Sequence, residues 1–270
     1  MSDTDEVFTG SISEIYDTFL VPLIFETYAA DMARRVAGQE PRDVLETAAG
    51  TGVVTRALAP LLGDEARYTV TDLNPSMLDR AASRQGADRR LVWRTADAIS
   101  LPFADLSFDA VCCQFGVMFF PDKVRGYAEA LRVLKPGGRF VFSVWDKIEE
   151  NEFAHLVTEV VGTVFPDDPP LFLARTPHGC HDTGVISEEL AAAGFGDVEI
   201  STITAESRAP SPRHAAIAYC QGTPLRNEIE ARDAALLEHV TDRAAEAIAA
   251  KHGAEAVSGR IRAHVIIAVA

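Results

Sequence analysis

The residues whose types and spacing could do chemistry begin at Val44-Leu45-Glu46-Thr47-Ala48-Ala49-Gly50-Thr51-Gly52. An apolar strand-like run enters a turn of small residues there, and helix-forming residues follow to Leu62. Backbone N–H groups of such a turn, with the start of the next helix, face whatever sits above and favour the anionic end of a ligand. Glu46, Ala48, Gly50 and Gly52 fill an acidic-x-Gly-x-Gly-x-Gly pattern with alanine at the first glycine. A strand-to-helix turn with no ligand would use the same residues, so the motif needs support from elsewhere in the chain.

Support comes from signals at the ends of the following strand-like runs, the edge where open parallel sheets bind ligands. Asp72, in Val70-Thr71-Asp72-Leu73-Asn74, sits where a carboxylate can accept hydrogen bonds from both hydroxyls of a ribose. It could also serve as a helix N-terminal acid. Thr95-Ala96-Asp97-Ala98 comes next, then Leu101-Pro102-Phe103 and Ser107-Phe108-Asp109-Ala110-Val111. Asp97 alone would read as a solvated loop acid, and Asp109 as a group that orients the chain. Cys113-Gln114-Phe115-Gly116-Val117-Met118-Phe119-Phe120 mixes one amide, one glycine and large apolar groups that could wall a pocket or fill core.

This ordered series resembles class I S-adenosylmethionine-dependent methyltransferases, in particular the methyltransferase type 11 branch that looks like ubiquinone and menaquinone methyltransferases. The resemblance spans about residues 40–146 and includes Leu131-Arg132-Val133-Leu134-Lys135-Pro136-Gly137-Gly138. It implies S-adenosylmethionine as cofactor and S-adenosylhomocysteine as product. It further implies cofactor contacts from Glu46, Ala48, Gly50, Thr51 and Gly52 in the turn. Asp72 would hold the ribose, Leu73 and Met77 would flank the adenine, Asp97 would take the adenine amino group and Ala98 would lie near the ring. Gln114 and Phe115 would face the methionine part, and Tyr16 would belong to a cover over the cofactor.

The elements that must position these residues follow from periodicity. Residues 12–36 read as helical, with Ile24, Tyr28, Met32 and Val36 every four residues, and Pro22 is expected to break the run in two. Short apolar strands at 43–47, 68–71, 92–95, 108–114 and 139–144 alternate with amphipathic helices, the pattern of a parallel sheet flanked by helices. Asn74-Pro75 reads as a cap and first-turn proline, and Lys135 to Gly138 as a helix stop. A helix at 152–164, a loop, a helix ended by Gly194, a strand at 198–205, a helical block at 212–259 and an apolar strand at 261–269 complete the chain.

The expected fold is therefore α/β and Rossmann-like: a mostly parallel seven-stranded sheet with an antiparallel last strand, helices on both faces and helical insertions forming a cap. A single methyltransferase domain over 1–270 would comprise an N-terminal helical cover (1–39), a cofactor-binding core (40–146), insertions at 147–184 and 210–259 forming the acceptor pocket, and a terminal strand (260–270).

Transfer of a methyl from a sulfonium is an in-line displacement with a neutral thioether as leaving group, so alignment and water exclusion are the main tasks and no metal is required. A base is needed only where the acceptor must lose a proton. Tyr16, His178 and His181 are the first candidates, with His155, His214 and Tyr219 behind them. His178-Gly179-Cys180-His181-Asp182 is the most suggestive cluster, although two histidines three apart in a loop more often satisfy local polar groups. Phe153, Phe165, Phe172 and Tyr219 suggest a partly apolar small-molecule acceptor, or simply pin the insertions to the core.

Composition narrows the field. Forty acidic residues against 25 basic give a net charge of −15, which repels a phosphate backbone and argues against nucleic acid. The leader Met1 to Glu6 is polar and acidic, no apolar run could span a bilayer, and four cysteines form no C-x-x-C pair, so a cytoplasmic protein without a zinc site is expected. Monomer and homodimer are both open. A nicotinamide-dependent oxidoreductase is the first rival reading, but G-x-G-x-x-G counted from Gly50 puts Thr55 where glycine or alanine belongs. A non-catalytic S-adenosylmethionine-binding module is the second.

Overall fold

The computed structural model describes residues 11–270. The acidic leader, and with it the start of the expected N-terminal cover, lies outside the described residues.

Helix α1 (Ser11–Ile15) leads into a π-helical segment, Tyr16–Phe25, and α2 (Glu26–Ala37). The chain thus stays helical through Pro22, where a break is expected from the sequence. The wider π turn relieves the clash between a proline ring and the carbonyl one α-turn back. Strand β1 (Asp43–Glu46), α3 (Val53–Leu58), β2 (Arg67–Asp72), α4 (Pro75–Gln85), β3 (Leu91–Thr95) and β4 (Phe108–Gln114) follow in strict alternation where helices intervene. Then come α5 (Lys123–Val133), β5 (Leu134–Trp145), α6 (Glu152–Val164), α7 (Phe172–Arg175), α8 (Thr183–Ala193) and β6 (Asp197–Ala209). The chain ends with α9 (Pro212–Cys220), α10 (Leu225–Asp233), α11 (Leu237–His252) and β7 (Val257–Val269).

The seven strands form one sheet in the order β3-β2-β1-β4-β5-β7-β6. β1 pairs in parallel with β2 (Val44 opposite Tyr68) and with β4 (Val44 opposite Ala110), and the β2–β3 and β4–β5 pairs are parallel too. The last strands run antiparallel. All four residues of β1 are buried, as expected of a central parallel strand covered on both faces.

Lys135 to Gly138 do not turn the chain before the fifth strand. They lie inside β5, where the register against β4 shifts between Phe108 and Ala110 and Gly137 adopts φ 79°. The backbone there bonds the chain terminus, Gly137 N–H to the Ala270 carbonyl and Ala270 N–H to the Gly138 carbonyl, both at 2.9 Å. A return of the C-terminus to the sheet supplies partners that local sequence cannot show.

The chain divides into two compact units. The sheet unit comprises Glu26–Val144, His181–Ile203 and His264–Ala270. Its core joins Met32 and Val36 of α2 to Val54, Leu58, Tyr68, Val70 and Cys112, and an aromatic stack of Tyr127, Phe140, Phe142 and Phe195 fills another part. The second unit comprises, of the described residues, 11–25, Trp145–Cys180 and Thr204–Ala263. Helices α6, α9 and α11 pack together in it through buried Phe153, Val157, Ala215, Val240 and Ala244. The regions read from sequence as insertions thus form a body with its own core.

Candidate active site

The turn after β1 is held by both neighbouring strands. Thr47 N–H bonds the Cys112 carbonyl at 2.9 Å and Ala49 N–H bonds the Thr71 carbonyl at 3.0 Å. Positive φ recurs at Ala48 (52°), Gly50 (56°) and Gly52 (77°), so alternate peptide units reverse and the backbone curls over the strand tip. At Gly52 a side chain is excluded twice, by φ and by Ala81, whose Cβ would lie 2.9 Å from an added Cβ. Helix α3 is a short helix that passes into a 3-10 turn.

Asp72 at the end of β2 closes this turn. Its Oδ2 accepts the Gly50 N–H at 2.7 Å and its Oδ1 accepts the Asn74 N–H at 2.8 Å. Burial pushes the carboxyl above the usual carboxylate range, opposed by the N–H bonds from Asn74 and Gly50. Each carboxylate oxygen can accept more than one hydrogen bond, so both keep capacity for a ligand hydroxyl.

Glu46 differs from its expected role as a cofactor contact. It is 2% exposed, and its Oε2 accepts the Thr55 hydroxyl at 2.7 Å and a short bond from the Tyr68 hydroxyl. Burial lifts its pKa to about 7 against those two bonds. The side chain braces β1 against α3 and β2 from beneath the turn. Tyr68 and Thr55 were missed as partners in the sequence. The β1–β2 register contains a signal for Tyr68: it stands opposite Val44, two residues before Glu46, and so on the same sheet face.

The remaining cofactor candidates other than Tyr16 gather at the same strand ends. Leu73, beside Asp72, is 54% exposed although large and apolar, while Met77 is buried on α4. Ala96 N–H bonds the Asp72 carbonyl at 3.1 Å, which brings Asp97 and Ala98 alongside. The Asp97 Oδ1 accepts the Ile99 N–H at 3.0 Å. Gln114 ends β4 in register with Ser143, and Phe115, at φ 52°, sets its ring edge-on to Tyr28 with centroids 5.4 Å apart. Gly116 shows a requirement invisible in the sequence: an added Cβ would stand 2.5 Å from Ala48 Cβ and 2.6 Å from Cys113 Sγ. The loops after β1 and β4 therefore touch where the strand order reverses, which is where open sheets of this kind form their crevice.

Thr51 is 1% exposed and its hydroxyl has no hydrogen-bond partner among the described residues. A buried donor left open in a turn whose Ala49, Gly50 and Gly52 N–H groups are already bonded is a place where a polar ligand can complete the bonding.

The base candidates separate. Tyr16 and His178 belong to the second unit and His181 to the sheet unit. His181 is exposed, and Asp182 caps α8 by accepting the Gly184 and Val185 N–H groups at 2.8 and 3.3 Å. Asp182 of the expected His178 to Asp182 cluster is thus taken up as the cap of α8. In the second unit a run of rings joins Tyr16 to Phe25 (centroids 5.4 Å apart), Phe25 to Trp145 (6.0 Å) and Trp145 to His178 (6.1 Å). His214 lies against Phe19 at 4.6 Å, and burial pushes its pKa down. Among the described residues no group of three His, Cys, Asp or Glu side chains could hold a metal ion.

Residues 45–142 match the profile of a methyltransferase domain. A demethylmenaquinone methyltransferase of Clavibacter sepedonicus is 34% identical over 201 residues, covering 68% of this chain and 80% of that protein. The chain belongs to the S-adenosylmethionine-dependent methyltransferases. A ubiquinone/menaquinone biosynthesis C-methyltransferase of Saccharophagus degradans is 26% identical over 212 residues, covering 74% of this chain and 80% of that protein. Among solved structures, a Bacillus halodurans protein described as a putative methyltransferase shares the fold at TM-score 0.57 and 19% identity, covering 90% of this chain and 98% of that one. Phosphoethanolamine N-methyltransferase 2 of Haemonchus contortus, solved with S-adenosylmethionine, does so at TM-score 0.62 and 14% identity, covering 100% and 60%.

S-adenosylmethionine is accordingly the cofactor of this methyltransferase. The residues present fit it: an acid at the β2 tip, an exposed apolar side chain beside it, and a positive-φ turn with an open buried hydroxyl. The nicotinamide reading falls away, and Thr55, which counted against it in the sequence, has a structural task on Glu46. No helix among the described residues is long and apolar enough to cross a membrane.

Proposed function

We propose that this methyltransferase methylates a small, partly apolar molecule, with Asp72 as the principal cofactor anchor. The observation that carries the site assignment is the Asp72 carboxylate, fixed at both oxygens by Gly50 and Asn74 N–H groups yet able to accept two ribose hydroxyls. Leu73 and Met77 would flank the adenine, Asp97 would take its amino group beside the Ala98 backbone, and Gln114 and Phe115 would face the methionine part. In the turn from Ala48 to Gly52 the Thr51 hydroxyl would bond the methionine part, since the Ala49, Gly50 and Gly52 N–H groups are already committed to Thr71, Asp72 and Ala49. Glu46 enters as a positioning residue and Tyr16 as part of the cover.

Bound there, S-adenosylmethionine supplies an electrophilic methyl whose transfer leaves a neutral thioether. The chain's own contribution is to hold the sulfonium in line with the acceptor and to exclude water. The names of the quinone-pathway relatives and the ring series from Tyr16 to His178 support an acceptor with an aromatic or apolar body. The net charge of −15 supports a small molecule over nucleic acid, and the same composition supports a cytoplasmic setting.

Calorimetry with S-adenosylmethionine, S-adenosylhomocysteine and NAD tests the cofactor site, with binding of the first two expected. Incubation with methyl-labelled S-adenosylmethionine and a panel of reduced quinones, phenols and fractionated metabolites tests turnover. Binding without transfer across that panel would favour a non-catalytic module.

A further inference from the structure

We propose that Glu46, buried beneath the turn after β1, is the positioning residue by which this methyltransferase tells its cationic cofactor from the uncharged-sulfur product: it releases its proton as S-adenosylmethionine binds and keeps it when S-adenosylhomocysteine does. The inference rests on the methyltransferase reading and adds to that site a discrimination between donor and product.

Glu46 is 2% exposed, and among the described residues it forms no ion pair. Its two donors, the Thr55 hydroxyl at 2.7 Å and the Tyr68 hydroxyl in a short bond, both reach Oε2 and both are neutral. A carboxyl taken out of water without a cation holds a proton until a positive charge arrives.

The surrounding elements leave its charge unmatched. From β2, Tyr68 is kept a neutral phenol by burial, and Asp72 is a second carboxyl that disfavours ionisation of Glu46. From β4, burial pushes the Cys112 and Cys113 thiols up, so both stay neutral. Helix α3 brings Thr55 and Arg56; the Arg56 charge favours the ionised acid, but its guanidinium donates to the Thr51 carbonyl at 2.6 Å. Helix α4 buries Met77, Leu78 and Ala81, and α2 buries Met32 and Val36 while its Asp31 pairs with Arg34 and Arg35. Burial wins, and the Glu46 pKa rises to about 7.

The carboxyl is also tied to the cofactor turn. The Thr71 hydroxyl donates to the Glu46 carbonyl at 2.8 Å, the Thr71 carbonyl accepts the Ala49 N–H at 3.0 Å, and Asp72 holds the Gly50 N–H. The cofactor's sulfur joins its ribose to its methionine part, the two portions assigned to Asp72 and Thr51. The two ligands share ribose, ammonium and carboxylate and differ in the methyl and the charge at sulfur. A sulfonium favours ionised Glu46, and a thioether gives it no matching charge. Binding of the donor therefore passes a proton to solvent, and transfer of the methyl lets Glu46 take one back. Contacts to Asp72 are common to both ligands, so its own titration cancels in the comparison.

Calorimetry of the whole chain in phosphate and in Tris, whose ionisation heats differ, counts the protons released. At pH 6.5 S-adenosylmethionine is expected to release about half a proton more than S-adenosylhomocysteine, and its affinity relative to that product should rise about three- to fivefold from pH 5.5 to pH 7. Carboxyl carbon-13 NMR should show Glu46 titrating near pH 7 in the free protein, and at lower pH with S-adenosylmethionine than with S-adenosylhomocysteine. Glu46→Gln keeps an acceptor for Tyr68 and Thr55, and its affinity ratio should be flat with pH. Equal proton release by the two ligands, a Glu46 midpoint moved alike by both, or a ratio that still rises with pH in Glu46→Gln would each overturn the assignment. Should Glu46→Gln fail to fold, the two wild-type measurements decide. Failure of the wild-type protein to bind either ligand would instead remove the methyltransferase reading.

Discussion

The Asp72 carboxylate reaches across from β2 to the turn after β1 and accepts the Gly50 N–H at 2.7 Å. One side chain thereby shapes the turn and presents the acid proposed to bind the cofactor ribose, so the two tasks are coupled.

Substitution of Asp72 separates them. Asp72→Ala is expected to weaken S-adenosylmethionine binding at least tenfold, the scale of one lost charge-assisted hydrogen bond. Asp72→Asn retains a side-chain oxygen for one N–H and should fall between. Calorimetry reads both, and unchanged affinity in Asp72→Ala would mean that the residue only braces the turn.

Gly116→Ala tests the contact between the loops after β1 and β4. Its Cβ would fall within 2.6 Å of both Ala48 Cβ and Cys113 Sγ, so one loop must move. A loss of about 1–3 kcal/mol in denaturant unfolding is expected, with weaker cofactor binding. Ala48→Gly in the same chain should restore part of both; strict additivity of the two changes would show that the contact is not felt.

The Glu46 carboxyl gives a pH signature. Its pKa stands at about 7 in the folded protein against 4.5 ordinarily, so the folded state holds a proton that the unfolded state releases between those values. This group's favourable contribution is complete below about pH 4.5 and is lost as pH rises to about 7, on the order of 3 kcal/mol in all. Glu46→Gln keeps an acceptor for Tyr68 and Thr55 without the charge. Its melting temperature relative to wild type should climb from pH 5 to pH 8, and a difference flat with pH would refute the assignment.

Leu73→Ser probes the exposed apolar side chain beside Asp72. At 54% exposure the substitution should change stability by less than about 0.5 kcal/mol. S-adenosylmethionine affinity should nevertheless drop roughly three- to tenfold through lost apolar contact with the adenine. Equal affinity of the two proteins would place the ring elsewhere.

Much of the sheet unit is legible in the order of residues along the chain. The alternation from Asp43 onward, the Asn74-Pro75 cap, the helix stop at Gly194 and the reading of Asp109 as a chain-orienting acid all match the folded protein. Asp109 accepts the Arg42 and Asp43 N–H groups at 2.9 and 2.8 Å and the Lys135 ammonium at 2.8 Å. Such features are written locally, because strand and helix periods, caps and turn glycines act over a few residues.

What the sequence by itself determined is the α/β alternation and the order of turn, Asp72 and Asp97 along the strand ends, and so the methyl-donor family. Only the tertiary structure decided that Glu46 turns to Tyr68 and Thr55 and that Gly116 must lack a side chain because Ala48 lies against it. It also decided that Asp146 orients the imidazole of His178. Each of these pairs residues from different segments, and which of them meet is set by how the elements pack, a property that no local period records.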